Sequence, residues 1–291
     1  MAIPHTPVRD FYEAEPYPFG TDYGGYFERF VAPELRGRDI KRVLDAGCGT
    51  GDLTRKIALA LPEAKIDAID FSQSSIEAAK AATPAALGIE YYVGDLASFA
   101  EIANAYDFVY CQGVLHHIPY PEPIVQKFRR ILSPGGLFVA WLYNPFGRRE
   151  IEDVIELNRR LAGASQTLDA QLSTINTLIE ALGGSAPGRT AENGNHASTA
   201  IPNRRKMVDR YLNPYYRHYS LEQARAMFES NGFEIFEVLE FRDSELPEGV
   251  AKVAQDRGVN LGDRRLTWSL LELLKKPRGL AYALSPSGSE L

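Results

Sequence analysis

The sequence has few cysteines and no cysteine pattern typical of metal binding. Cys48 and Cys111 are the two cysteines among 291 residues, and both lie in segments with the apolar pattern of a protein core. A pair without metal-ligand spacing excludes a disulfide-rich scaffold. We therefore interpret both as reduced, buried packing residues and expect no metal site.

Long apolar runs and an excess of positive charge are also missing. No window approaches the roughly 18 consecutive apolar residues of a membrane helix, and the N-terminal segment is too polar and proline-rich for a signal peptide. The formal net charge is −6, which disfavours nucleic acid and anionic membranes as partners. We expect a soluble, cytoplasmic protein that acts on a small molecule. The sequence does not indicate its oligomeric state.

Strand and helix patterns alternate regularly between residues 40 and 145. The apolar segments RVLDAG, KIDAIDF, IEYYVGD, YDFVYCQG and GLFVAWLY have the length of buried strands, and helical patterns lie between most of them. Strands joined by crossover helices form a parallel sheet with helices on both faces. The predicted fold class is α/β, a Rossmann-like, doubly wound, mostly parallel sheet with a helical insertion after the fifth strand.

The same patterns predict how the rest of the chain is organised. The predicted units are an N-terminal helical lid (1–40), the cofactor-binding core (41–147), a helical insertion that covers the substrate (148–212), a segment that completes the core (213–284) and a disordered tail (285–291). Within the insertion, residues 183–203 are rich in glycine, serine, asparagine and proline and predict a loop.

A glycine-rich turn, VLDAGCGTG, follows the first predicted strand. Gly47, Gly49 and Gly51 would let the backbone approach a ligand closely, with the amides of the next helix directed at polar ligand groups. A dinucleotide site needs a third glycine at the position of Asp52, so a nicotinamide dehydrogenase is disfavoured. An acid at Asp45 suits a ligand that carries an ammonium group instead.

This turn resembles motif I of the class I S-adenosylmethionine-dependent methyltransferases. Residues 111–141, CQGVLHHIPYPEPIVQKFRRILSPGGLFVAW, resemble the fourth strand, the following helix and the fifth strand of that family. The resemblance implies S-adenosylmethionine as cofactor and S-adenosylhomocysteine as product, with the glycines beneath the methionine moiety. It also implies that Asp95 lies beside the adenine amino group. Asp70 ends the second strand, where an acid can accept both ribose hydroxyl hydrogens.

The predicted cofactor residues come from the ends of successive strands and from the lid. They are Asp45, Gly47, Cys48, Gly49, Gly51, Asp70, Phe71, Gly94, Asp95, Leu96, Gln112, Gly113, Val114 and Tyr17. The alternative for each aspartate is that it only caps a helix or a turn.

Three histidines are candidates for the general base that a phenol or carboxyl acceptor would need. His116 and His117 follow the fourth strand at the ligand-binding edge of the sheet, and His218 precedes a later helix. The alternative is that His116 and His117 form a structural turn. The residues predicted to line the acceptor pocket are Tyr12, Tyr143, Asn144, Tyr215, Tyr216, Arg217 and Tyr219, and the alternative for them is packing between the insertion and the core.

Together these features predict methyl transfer to an O, N or C atom of a small, aromatic or carboxylated metabolite. Two alternatives stay open. One is a relative that binds S-adenosylmethionine without transferring its methyl group, and the other is an RNA or protein methyltransferase.

Overall fold

The sheet is the centre of the fold. A computed structural model describes residues 6–16, 25–100, 105–161, 167–182 and 201–288. Within these ranges seven strands form one sheet: β1 (Arg42–Ala46), β2 (Lys65–Asp70), β3 (Ile89–Val93), β4 (Tyr106–Gln112), β5 (Leu132–Tyr143), β6 (Phe233–Val238) and β7 (Gly279–Pro286). Their order is β3-β2-β1-β4-β5-β7-β6, and β7 runs antiparallel to both of its neighbours. The other neighbouring pairs are parallel. The predicted mostly parallel, doubly wound sheet is confirmed.

Helices cover both faces of this sheet. In chain order they are α1 (Thr6–Ala14), α2 (Ala32–Leu35), α3 (Asp52–Ala60), α4 (Gln73–Ala82), α5 (Glu122–Ile131), α6 (Arg149–Leu161), α7 (Leu168–Ala181), α8 (Ile201–Leu212), α9 (Leu221–Ser230), α10 (Glu248–Asp256) and α11 (Arg264–Lys275). A π-helical turn, Phe27–Val31, leads into α2, and a 3₁₀ turn, Leu115–His117, follows β4.

Strand β5 shows why both faces are buried. Successive side chains of a strand point to opposite faces, so Phe138 packs its ring against those of Phe128 and Phe228, at centroid distances of 5.2 and 5.9 Å. Val139 belongs to the cluster on the other face, together with Ile57 of α3. This burial on both faces explains the nearly continuous apolar runs in the sequence.

The strand order creates a crevice at the carboxyl edge of the sheet. The chain builds β1, β2 and β3 toward one edge and then returns to place β4 on the other side of β1. The loops that follow β1 and β4 therefore leave the sheet in opposite directions. Open α/β sheets bind ligands at this switch point.

Helices α6, α7 and α8 form a separate apolar cluster between β5 and α9, with Ile155, Ile175 and Val208 among its buried members. They lie within the predicted insertion, whose role as a substrate cover stays a prediction. The predicted loop at 183–203 is wrong at its end, because α8 begins at Ile201. Residues 183–200 lie outside the described ranges.

The predicted disordered tail is wrong at its first two residues. Ser285 and Pro286 continue β7 and pair with Glu234 and Phe233 of β6, which supplies the backbone partners that a free tail would lack. Residues 289–291 lie outside the described ranges. In the predicted lid, residues 6–16 and 25–40 are described, and the assignment as a lid stays a prediction. Among the described residues, no helix combines the length and the apolar character needed to cross a membrane.

Gly279, the first residue of β7, has no room for a side chain. A Cβ there would lie 2.2 Å from Cζ2 of Trp141 and 2.8 Å from the carbonyl oxygen of Leu142. We expect Gly279→Ala to lower the free energy of unfolding by about 1 to 3 kcal/mol in a urea titration, because overpacking forces the neighbouring groups apart. Gly249→Ala in α10 is the matched control, since no atom lies within 4 Å of the position that its new methyl group would take. Equal loss of stability in both variants would contradict this account.

Candidate active site

The loop after β1 touches the loop after β4. Gly47 has a φ of 85°, a conformation that favours glycine, and its N–H donates to the carbonyl oxygen of Ile69 at 2.8 Å. A Cβ at Gly47 would lie 2.2 Å from Cγ2 of Val114. The two loops therefore meet at a position that only glycine can occupy.

Asp70 ends β2 and holds the same loop. Its Oδ2 accepts the backbone N–H of Gly49 at 2.9 Å, and its Oδ1 accepts that of Ser72 at 3.0 Å. Burial raises the pKa of Asp70 to about 6, although these hydrogen bonds lower it. A carboxylate oxygen can accept more than one hydrogen bond, so Asp70 keeps the capacity to accept ligand hydroxyls.

Asp45 lies beneath the loop instead of on its ligand side. It is 3% exposed, and its Oδ2 accepts the hydroxyl hydrogen of Thr54 at 2.5 Å. Burial raises the pKa of Asp45 to about 7. The carboxyl group thus ties β1 to α3 and does not line the cavity described next.

A cavity of about 290 Å³ opens at the carboxyl edge of the sheet. From the predicted cofactor set it is lined by Gly47, Cys48, Gly49, Asp70, Phe71, Gly94, Asp95, Leu96, Gln112, Gly113 and Val114, and from the other predicted sets by Tyr12, His117 and Tyr143. The structure therefore brings together most of the residues that the strand ends predict.

Other predicted residues do not line this cavity. They are Asp45, Gly51, His116, Asn144, Tyr215, Tyr216, Arg217, His218 and Tyr219. Tyr17 lies outside the described residues. Asn144, for example, donates from Nδ2 to Oε1 of Glu272 at 2.5 Å and so joins the end of β5 to α11.

Several cavity residues are missing from the sequence-based set: Val8, Tyr26, Thr50, Asp52, Leu53, Ile69, Ser75, Ile118, Trp141 and Asp209. Some of them adjoin predicted residues along the chain, as Thr50 and Ile69 do, and could have been found by that adjacency. Asp209 has no such signal, because it comes from α8, which the sequence does not predict.

His117 lies on the cavity wall as a neutral ring. Its Nδ1 is 2.8 Å from the carbonyl oxygen of Tyr215, which can only accept, so Nδ1 carries the proton and Nε2 the lone pair. Burial lowers the pKa of His117 to about 4, although the hydrogen bond to Tyr215 raises it.

His116 belongs to a stack of side chains behind the cavity. It is fully buried, and its ring stacks on that of Tyr143 with centroids 3.8 Å apart. The guanidinium carbon of Arg148, a residue only 4% exposed, lies 3.7 Å from the centroid of the same tyrosine ring. Two groups this close must cover opposite faces of Tyr143. Burial lowers the pKa of His116 well below its usual range.

The segment from Tyr215 to Tyr219 packs along this stack. The N–H of Arg217 donates to the carbonyl oxygen of His116, and that of Tyr219 donates to Tyr143, both at 2.8 Å. His218 Nε2 lies 3.2 Å from Oε1 of Glu152 in α6. The side chain of Arg217 is exposed, with its guanidinium 5.2 Å from the Tyr219 ring.

Tyr12 of α1 joins the two ends of the cavity. Its ring lies 6.2 Å from the rings of both Phe71 and His117. Its hydroxyl donates to Oδ1 of Asp209 at 2.7 Å and accepts from Nδ2 of Asn213 at 3.0 Å. Burial raises the pKa values of Tyr12 and Asp209.

Helix α1 is also fastened to the start of α4. The Glu13 carboxylate accepts the backbone N–H groups of Gln73 at 2.7 Å and Ser74 at 3.1 Å, which are among the unpaired donors of a helix N-terminus. Slight burial raises the pKa of Glu13, but these hydrogen bonds outweigh it and lower the pKa below its usual value.

Glu240 orients two aromatic residues of the cavity from behind. Its Oε1 accepts the hydroxyl hydrogen of Tyr26 at 2.7 Å, and its Oε2 accepts the N–H of Ala281 at 2.8 Å. Burial raises the pKa of Glu240 to about 7, whereas hydrogen bonds, including one from the Trp141 side chain, lower it.

Comparisons with known proteins agree with this geometry. Residues 43–136 match the family model described as a methyltransferase domain. The chain is 29% identical to the malonyl-[acyl-carrier protein] O-methyltransferase of Halalkalibacterium halodurans over 42% of this chain and 46% of that protein. It is 31% identical to the ubiquinone biosynthesis O-methyltransferase of Coxiella burnetii over 40% of this chain and 53% of that protein. The chain thus spans about half the length of these relatives.

A solved structure supports the fold. PKMT2 from Rickettsia typhi in complex with AdoHcy superposes with a TM-score of 0.66 at 16% identity, over 86% of this chain and 50% of that one. The fold is that of the class I S-adenosylmethionine-dependent methyltransferases, and residues 43–136 contain the part that matches a methyltransferase domain. The cofactor of this family is S-adenosylmethionine, as predicted.

The cavity fits that cofactor. Its wall combines the backbone of the Gly47 loop, which a Cβ would push against Val114, with the half-buried carboxylate of Asp70 at the end of β2, which can still accept hydrogen bonds. A second carboxylate, Asp95, follows β3. A ligand with ribose hydroxyls and amino groups needs these acceptors.

We expect Asp70→Asn to weaken the binding of S-adenosylmethionine by about 1 to 3 kcal/mol, because charge-assisted hydrogen bonds are lost. Titration calorimetry on the purified protein measures this. Asp39→Asn is the matched control, because Asp39 lies on the surface with 82% of its side chain exposed. An Asp70→Asn variant that is folded and binds with unchanged affinity would overturn the assignment.

His117 should make the stability of the protein depend on pH in one direction. Its pKa is about 4 when folded and about 6.5 when unfolded, so between these values the unfolded chain binds more protons and the free energy of unfolding falls as the pH falls. The contribution lost between pH 7 and pH 4 is up to about 3 kcal/mol.

The His117→Gln variant lacks this titrating group. Its free energy of unfolding, measured in urea at several pH values, should therefore depend less steeply on pH than that of the unchanged protein. Asp45 and Asp70 have raised pKa values and opposite slopes, but both proteins retain them. Parallel profiles for the two proteins would be evidence against a neutral, buried His117.

Proposed function

We propose that the protein transfers a methyl group from S-adenosylmethionine to an O, N or C atom of a small acceptor molecule. The observation that carries this proposal is the continuity of the cavity. It runs from the glycine loop and Asp70 to Trp141, Tyr143 and His117. One end suits the cofactor of the family, and the other offers room and side chains for a second molecule.

In this proposal the strand-end residues hold the cofactor. The loop from Gly47 to Gly51 lies beneath the methionine part, Asp70 accepts the ribose hydroxyls and Asp95 lies beside the adenine amino group. Gln112, Gly113 and Val114 lie beside the sulfonium, while Asp45 supports the loop from below, as its hydrogen bond to Thr54 suggests. Contact of Tyr17 with the cofactor stays a prediction.

When bound, S-adenosylmethionine supplies a methyl group attached to a positively charged sulfur. The chain's own residues then have to align the acceptor and exclude water. The aromatic residues Tyr12, Trp141 and Tyr143 serve both needs, because they are large and have few rotatable bonds. Asp209, within the cavity wall, and Glu240 and Arg148, behind it, hold them in place.

Of the three candidate histidines, we propose direct contact with the acceptor for His117 alone. Its neutral ring presents the lone pair of Nε2, which can accept a hydrogen bond from an acceptor hydroxyl or amine. A pKa of about 4 makes this ring a weak base, so it positions the acceptor and contributes little to proton removal. His116 and His218 act as positioning residues through Tyr143 and Glu152.

The lining of the cavity favours an aromatic acceptor over a carboxylated one. The aromatic walls favour an acceptor with a flat or apolar body. A carboxylate would need a cation, and no lysine or arginine lies among the described residues that line the cavity. Arg217, the one cationic residue in the predicted acceptor pocket, is exposed and does not line the cavity.

The test is titration calorimetry with S-adenosylmethionine, S-adenosylhomocysteine and, as a control, NAD. We expect dissociation constants near 1 μM for the first two, about −8 kcal/mol, and no binding of NAD. Release of S-adenosylhomocysteine with a set of small acceptors then reports transfer. No binding of either cofactor form would refute the proposal, and binding without transfer would favour the non-methylating alternative. Transfer to RNA or protein alone would also refute a small acceptor.

A further inference from the structure

The described residues that line the cavity give its wall an acidic character. It carries four carboxylates, Asp52, Asp70, Asp95 and Asp209, and the described lining residues include no lysine or arginine. Three of them have partners at the cofactor end. Asp52 pairs with Arg55, Asp70 accepts backbone N–H groups and Asp95 accepts the N–H of the residue two positions on. Asp209, the fourth carboxylate, has no role in the proposed binding of the cofactor.

Asp209 lies where the two ends of the cavity meet, because the ring of its hydrogen-bond partner Tyr12 is 6.2 Å from the rings of both Phe71 and His117. Within the described part of the chain, no cation lies within ion-pair distance of its carboxylate. Arg148 and Arg210 act on it only at longer range, and burial raises its pKa more than they lower it. A carboxylate that is partly removed from water is stabilised most by a cation that neutralises its charge.

The hydrogen bonds around Tyr12 fix what this corner of the cavity can accept. Nδ2 of Asn213 donates to the Tyr12 oxygen, so the tyrosine proton points to Asp209. The Asp209 carboxylate is then held by one neutral donor and retains acceptor capacity on both oxygens. A ligand group that donates hydrogen bonds fits here better than one that accepts them.

Aromatic rings line the cavity together with Asp209. They are the ring of Tyr12, whose hydroxyl donates to the Asp209 carboxylate, and those of Tyr26 and Trp141, which Glu240 holds. The face of an aromatic ring attracts a cation, and aromatic cages recognise ammonium groups in this way. Both faces of Tyr143 are covered by His116 and Arg148, so this ring presents its edge and does not take part.

We propose that the acceptor is an amine, whose protonated nitrogen is bound by the Asp209 carboxylate and by aromatic rings of the cavity wall. This inference rests on the proposed function and narrows its acceptor atom to nitrogen. It differs from the carboxylated acceptor that the sequence suggests, because the wall supplies a carboxylate where that acceptor would need a cation.

The groups present account for every proton, bond and electron pair in the transfer step. The bound ammonium gives one proton to the Asp209 carboxylate, whose raised pKa favours accepting it, and the freed lone pair then forms the bond to the methyl carbon. The bond between that carbon and sulfur breaks, and its electron pair stays on sulfur. Sulfur becomes neutral and nitrogen becomes a methylammonium, while Asp209 passes its proton to water.

The first experiment measures binding of a cation without turnover. The protein is saturated with S-adenosylhomocysteine and titrated with choline and with 3,3-dimethylbutan-1-ol, an uncharged molecule of the same shape. We expect choline to bind at least about tenfold more tightly. Asp209→Asn should remove this preference, whereas the control Asp169→Asn, an exposed residue of α7, should keep it. Equal binding of the two probes, no binding of choline, or an unchanged preference in Asp209→Asn would overturn the proposal.

The second experiment compares acceptors that share one ring. Benzylamine, phenol and benzoate are supplied with S-adenosylmethionine, and S-adenosylhomocysteine and methylated product are measured. Methylation of the amine alone is expected. Methylation of phenol or benzoate without the amine would overturn the amine assignment but leave the proposed function standing. Failure to bind S-adenosylhomocysteine at the outset would defeat the proposed function itself.

Discussion

The contact between the loops after β1 and β4 is the constraint on which the rest of the site depends. Gly47 and Val114 are so close that no side chain fits at the glycine, and this closeness follows from the topology, since β4 returns to lie beside β1. With the two loops in contact, Asp70 and the glycine-loop backbone sit at a fixed distance from the residues after β4. The cavity takes its shape from that distance.

Two carboxyl groups that do not line the cavity support its wall. Asp45, which is buried, joins β1 to Thr54 of α3, and Glu240, which is half-buried, joins Tyr26 to the backbone of β7. Removing such groups from water costs free energy unless they are hydrogen-bonded, so their hydrogen bonds favour this arrangement of the wall. Their raised pKa values, about 7 for both, reflect the same desolvation.

The sequence predicts the parts of the molecule that local patterns encode. The parallel strands read as apolar runs because both sheet faces are buried, and Asp70 and Gly47 are identified by their places at strand ends. Asp209 is not predictable in this way. Its contact with Tyr12 joins residues 197 positions apart, and α8 begins in a segment whose composition resembles a loop. Asn144 and His218 have the right residue types for a site, yet a hydrogen bond directs Asn144 to Glu272, and His218 lies 3.2 Å from a carboxylate oxygen of Glu152.

Helix α1 is attached to two different parts of the molecule. Glu13 attaches it to the start of α4, next to the proposed ribose site, and Tyr12 attaches it to α8 beside the proposed acceptor site. Each attachment supports the other, because both act on a single helix of nine residues. If both sites bind as proposed, a ligand that orders α1 from one side would lower the ordering cost for a ligand on the other side, and thermodynamic linkage would make the effect equal in both directions.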